Sequence, residues 1–139
     1  MKRATKRATK RATTGTRRFS GLVAAAIAKD KILGIRAGSG DHRFIGIWSV
    51  VVDGRVFVRS WDVKPAGWYH AFREEPRGAI QAAGREIRVR AVPIRSERTK
   101  AAVDEAYFAK YNTPGALKYS RGFKRSKKRR DTTTELVPA

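Results

Sequence analysis

The chain has 139 residues, 32 Lys/Arg against 12 Asp/Glu, no cysteine and a formal net charge of +20. That length suits one domain with flexible ends, and the missing thiols exclude disulfides and thiolate metal sites, in keeping with a reducing, cytoplasmic setting. The longest apolar run near the start, LVAAAIA, is too short to span a bilayer; followed by Lys29, Asp30 and Lys31 with no convincing cleavage site, it also reads poorly as a signal peptide.

Taken in chain order, the sequence begins with a perfect short repeat, Lys2-Arg3-Ala4-Thr5, which recurs twice more and ends at Thr13. A four-residue period fits neither a strand nor a heptad and offers no hydrophobe to bury, so residues 1–18 are expected to form a disordered basic arm. Such an arm either contacts nucleic acid or an anionic surface, or is a low-complexity extension of little consequence. Eight of the basic residues lie in 1–18 and seven in 121–130, with no acid in either, leaving 17 against ten acids in 19–120.

The globular part, 19–139, reads as a single domain that is mainly β with a few helices. Residues 20–30 predict a short helix with Ser20 as its cap. In the stretch GIRAGSGDHRF (34–44), Gly38 and Gly40 let backbone amides approach an anion, and Arg36 and Arg43 supply bidentate donors. The same Gly38-Ser39-Gly40-Asp41 also reads simply as a hairpin turn. A β-branched and aromatic run over 43–52, then Asp53-Gly54, then the alternating RVFVRSW predict a hairpin. Residues 67–75 predict a short helix ending at Pro76. A second strand pair follows over 78–83 and 86–94 around Gly84-Arg85, with Pro93 at an edge or bulge. The clearest helix is 96–112, capped by Ser96, with Val103, Ala106, Tyr107 and Lys110 on one face and Tyr107 and Tyr111 in the core. Residues 124–131 predict a flexible basic loop, and 132–138 a last strand with Leu136 inside. The economical closure of such strands is a small antiparallel barrel. Removing 1–18 and 124–130, which are almost without apolar surface, is expected to leave the melting temperature nearly unchanged.

Catalysis by side chains alone finds little support. The two histidines, His42 and His70, have no zinc spacing; Asp41-His42 reads as a turn, and Glu74 and Glu75 diverge by about 100° on a helix. The indoles Trp48, Trp61 and Trp68 either pack a barrel end or wall a site for a flat ligand, and Arg59 and Lys64 are either solvated or paired with those indoles.

Five blocks in order, IWSVVVDGRVFVRS, GWYHAF, RGAIQAAGREIRV, DEAYFAKY and TTTELVPA, resemble the family called domain of unknown function 2255 over about residues 22–138. That family is similar in turn to the flavin-binding split barrels, which include pyridoxamine-phosphate oxidases and deazaflavin-dependent nitroreductases. The resemblance implies a small antiparallel split β-barrel, a homodimer with FMN or a deazaflavin in a cleft between subunits, and reduction of a small molecule. It implies phosphate or ring contacts from Ser60 and Lys64, walls from Trp61 and Trp68, and a phosphate-binding strand turn carrying Arg36, Ser39 and Arg43. The helix ends here in Glu-Pro where the wider group often has Asn-Pro. The alternative is a non-enzymatic basic protein that binds nucleic acid through 1–18 and 124–130.

Overall fold

The structure, a computed structural model, describes residues 17–64 and 67–139, so the repeat of the basic arm lies outside the described residues. Helix α1 (Gly21–Lys29) begins where the Ser20 hydroxyl accepts the Val23 amide at 3.3 Å, as its position predicts. Strand β1 (Leu33–Ala37) leads through the glycine turn to β2 (Ile45–Ile47), which is followed after one residue by β3 (Ser49–Val52). Strand β4 (Arg55–Val58), helix α2 (Trp68–Glu74), β5 (Arg77–Ala82) and β6 (Arg85–Pro93) come next. Helix α3 (Glu97–Lys110) is capped by Ser96, whose hydroxyl accepts the Thr99 amide; α4 (Pro114–Arg125), α5 (Lys127–Arg130) and β7 (Thr134–Pro138) complete the chain.

All seven strands belong to one antiparallel sheet in the order β2-β1-β5-β6-β7-β4-β3. The two edge strands of that order, β2 and β3, are joined through Trp48 alone. The sheet therefore curls into a nearly closed barrel whose last seam is bridged by the chain itself rather than by a ladder. The single strand expected over 43–52 is in fact two, because Ile45, Gly46 and Ile47 pair with β1 while 49–52 pair with β4. The hairpin turns are set by left-handed residues: Asp53 and Gly54 have φ of 52° and 76°, as expected, and Ala83 and Gly84 have φ of 54° and 72°. The second turn thus lies one residue earlier than Gly84-Arg85, at the expense of about 1–2 kcal/mol for placing Ala83 in the left-handed region.

Strand β4 separates two cores. Val56 and Val58 point into the barrel with Leu33, Ile35, Ile80, Val89 and Leu136, and Phe19, Val23 and Ile27 plug it from the α1 side. Phe57 and Val50 point outward, where α3 and α4 cover them with Val103, Tyr107, Tyr111 and Phe123. Both faces of β4 are buried, as the alternation of a central strand under a helical layer requires.

Residues 124–131, expected as a flexible loop, are helical: α4 runs to Arg125, and the Ser126 hydroxyl caps α5 by accepting the Arg129 amide. The reason is amphipathicity beneath the charge. Ser120 and Phe123 are buried and Ala116 packs with them, so the helix has an apolar side to lay on the sheet. Among the described residues no helix is long and apolar enough to cross a membrane.

Candidate functional site

The β3–β4 ladder ends at the pair Ser49↔Val58. Beyond it the two chains fork. On one side Trp48 turns the backbone away so that Ile45, Gly46 and Ile47 pair with β1; on the other, the Ser60 amide leaves the sheet to donate to Thr132 Oγ1 at 2.8 Å. A cleft of about 610 Å³ opens in this wedge, within the usual range for ligand sites. Its two banks are 45–48 and 59–64, and Gly67, Trp68, Tyr119 and Phe123 close its ends.

Three indoles line this cleft, each held by a different neighbour. Trp48 stacks on Tyr111 with centroids 4.0 Å apart and planes 2° from parallel. The Tyr111 hydroxyl is in turn pinned, accepting the Ser49 amide at 3.1 Å and donating to the Lys31 carbonyl at 2.6 Å; burial pushes its pKa up to about 12. Trp61 lies under the Arg129 guanidinium, 3.6 Å from the ring centroid, and meets Tyr119 and Phe123 edge-on at 4.9 and 5.5 Å. Its benzenoid ring sits so close to the α4 backbone that a Cβ on Gly122 would approach it to 2.5 Å. Trp68, at the start of α2, contacts Tyr69 and Phe72 edge-on and packs against the barrel core. The same indoles thus pack the barrel end and line the cleft.

The polar residues divide by burial. Lys64 is exposed at the rim. Ser60 is buried, and its hydroxyl donates to the Asp62 carbonyl at 2.7 Å, which leaves its oxygen lone pairs as acceptors. Arg59 is not solvated. Its side chain is fully buried and donates to Asp104 at 2.6 Å, to Thr133 Oγ1 at 2.8 Å and to the carbonyls of Lys100 and Phe123. Burial lowers its pKa and the Asp104 carboxylate opposes that. It behaves as a tie between β4, α3, α4 and the 132–133 turn. The indole expected to meet Arg59 or Lys64 is met by Arg129 instead.

The remaining sequence-predicted residues lie elsewhere. Ile35 pairs with Ile45 and faces the barrel interior, so its neighbour Arg36 faces outward. There Arg36 donates to Glu86 at 2.9 Å, stacks over Phe44 at 4.5 Å and leaves its buried Nε without a hydrogen-bond partner among the described residues. With Gly38 and Ser39 it lines a second cleft of about 590 Å³ on the outer sheet face. The register of β1, β5 and β6 brings Arg77, Arg88 and Arg90 onto that same face. Arg43 is exposed on the β1–β2 loop and lines neither cleft. Within one chain, then, Ser60, Trp61, Lys64 and Trp68 share a site, and Arg36 and Ser39 belong to another. Missing from the sequence expectation were Tyr119 and Phe123, which line the cleft from α4, and Arg129 of α5, which lies over Trp61. Among the described residues, no three His, Asp or Glu side chains are grouped as metal ligands.

The architecture recurs in solved structures. A conserved hypothetical protein of Mycobacterium tuberculosis superposes with a TM-score of 0.51 at 12% identity, over 90% of this chain and 82% of its own. An FAD-binding protein of Mesorhizobium loti superposes with a TM-score of 0.52 at 15% identity, over 87% of this chain and 91% of its own. At these identities the likeness is one of fold alone. No functionally curated protein matches the sequence. The family model described as "Uncharacterized protein conserved in bacteria (DUF2255)" matches residues 24–136, and the chain belongs to that family.

Proposed function

We propose that the chain binds FMN or a deazaflavin in the cleft between 45–48 and 59–64 and serves as a reductase of a small molecule. The observation that carries this reading is the fork of the barrel itself, a wedge of about 610 Å³ walled by Trp48, Trp61 and Trp68. Flat, apolar walls fixed by Tyr111 and Arg129 suit a planar fused-ring system, because little side-chain freedom is lost when it enters. Gly46 on one bank and Gly67 at one end place no side chain against a ligand, Ser60 offers an acceptor, and the Lys64 ammonium at the rim suits a phosphate. The FAD-binding neighbour of like fold supports a flavin over other flat ligands. When bound, such a cofactor supplies hydride transfer; the protein orients it and limits water.

Arg36 and Ser39 open to the opposite face of β1, so in this reading they reach the same ligand only from a second copy, and the functional unit is a homodimer. The test is a titration of full-length protein with FMN and, separately, with a reduced deazaflavin, read by tryptophan emission and calorimetry. Binding at micromolar affinity or better, weakened about ten- to hundredfold by Lys64→Ala, is the expected result. No heat and no change in emission with either cofactor would remove the reading. Light scattering on the same samples gives the dimer; a monomer mass near 15.5 kDa would remove the shared cleft.

A further inference from the structure

Helix α4 carries charge on the side opposite its buried one. At about 100° per residue, Lys118, Arg121, Lys124 and Arg125 fall within an arc of roughly 120°, facing away from Ala116, Ser120 and Phe123. All four are exposed, and no acidic residue occurs between 114 and 130. Lys128 adds a further exposed charge from α5, whereas Lys127 is taken up by Asp131 at 2.6 Å. Arg129 and Arg130 belong to the packing, the first over Trp61 and the second paired with Asp104 and Glu97. The fold therefore sorts the cations of 118–130 into those tied to acids or to Trp61 and an exposed row, in which Lys118 and Lys124 lie over Tyr119 and Phe108, without an acidic partner among the described residues.

We propose that this α4–α5 ridge binds the phosphate backbone of duplex DNA without reading its sequence, independently of the cofactor reading above. The row is convex and helical, so its charges are held in place before contact and little ordering entropy is spent. Four cations over eight residues span about 10 Å of helix. Duplex DNA presents one charge per roughly 1.7 Å of axis, twice the density of a single strand, and a rigid ridge of that length meets more phosphate on the duplex. The arc bears no Asn or Gln to read a base edge, which points to backbone contacts alone.

The experiment uses the full chain and random duplex DNA at several salt concentrations. In the variant Lys118→Gln, Arg121→Gln, Lys124→Gln, Arg125→Gln, affinity should fall at least tenfold near 0.1 M salt. The log–log salt slope should drop by roughly 3 to 4, about 0.9 for each lost contact. Residues 1–16 are common to both proteins, so their contribution cancels. The charge-preserving variant Lys118→Arg, Lys124→Arg should bind like the parent. Circular dichroism checks folding; if the quadruple variant unfolds, the pairs Lys118→Gln/Arg121→Gln and Lys124→Gln/Arg125→Gln should each lower the slope by about 2. An unchanged slope overturns the proposal. So does an equal loss in the control Arg77→Ala, Arg88→Ala, Arg90→Ala, which would make the effect one of net charge. Tighter binding to a single strand or to phosphatidylserine vesicles than to the duplex would assign the ridge to that partner instead.

Discussion

Arg129 and Trp61 grip each other at two points: the guanidinium lies 3.6 Å from the indole centroid, and Nε donates to the Trp61 carbonyl at 2.9 Å. A residue of the basic run thus fixes both the ring and the backbone of one bank of the cleft. Arg129→Lys keeps the charge but loses the planar stack and the fixed fork, so it is expected to destabilise the protein by about 1–2 kcal/mol and to shift tryptophan emission. Urea unfolding followed by that emission measures both, and a variant with the parent's midpoint and spectrum would show the grip to be idle.

Asp104 is the shared acid of two arginines, Arg59 at 2.6 Å and Arg130 at 3.0 Å. Removing it leaves the fully buried Arg59 guanidinium without a counter-charge, whereas removing Arg130 leaves the Arg59–Asp104 pair intact. Asp104→Ala is therefore expected to cost about 3–5 kcal/mol, well above Arg130→Ala, whose partners Glu97 and Asp104 retain Lys100 and Arg59. Chemical denaturation of the two variants side by side decides the order; equal losses would contradict it.

Lys110 is half-buried and donates to the carbonyls of Ile27 and Ser49, and burial together with nearby Lys31 lowers its pKa from 10.5 to about 8. Between those values the unfolded chain holds a proton that the folded protein has released, so this group's contribution to stability rises with pH across the window. Below about pH 8 its penalty is present in full. In Lys110→Met the titration is gone. The stability of the parent relative to the variant should accordingly improve as pH is raised from 8 towards 10.5, and stay flat between 6 and 7. Denaturant midpoints at four pH values test the sign; a trend in the other direction would exclude it.

Elements with a strong period and a clear punctuation mark were legible in the sequence. Ser20 and Ser96 cap the helices they precede, Asp53-Gly54 turns the hairpin, and Tyr107, Tyr111 and Leu136 are core. The fork at Trp48 was not, because an unbroken β-branched run carries no sign of where it changes partners; that is a long-range property of β1 and β4. Helix α4 was hidden by composition: its buried side is only Ala116, Ser120 and Phe123, and eight cations between 118 and 130 dominate any window laid over it. The same masking hid Tyr119 of the cleft wall and Arg129 over Trp61. Of the residues named from resemblance, Ser60, Trp61, Lys64 and Trp68 converge since they follow one strand end, while Arg36 is parted from them by the two-residue alternation of β1, and Ser39, on the turn beyond that strand, lines the second cleft with it.

The seam of this barrel is a peptide, not a ladder. No ladder joins Ile45, Gly46 and Ile47 to 59–62, so spreading them apart breaks no hydrogen bond between strands; β2 stays paired with β1, the sheet flexes, and the backbone rotates at Trp48. Resistance to that rotation comes from the ring of Trp48 lying flat on Tyr111, itself tied at the hydroxyl to the ends of β3 and the α1–β1 link. The sheet therefore supplies the shape of the cleft, and one pair of aromatic rings sets how stiffly its mouth is held.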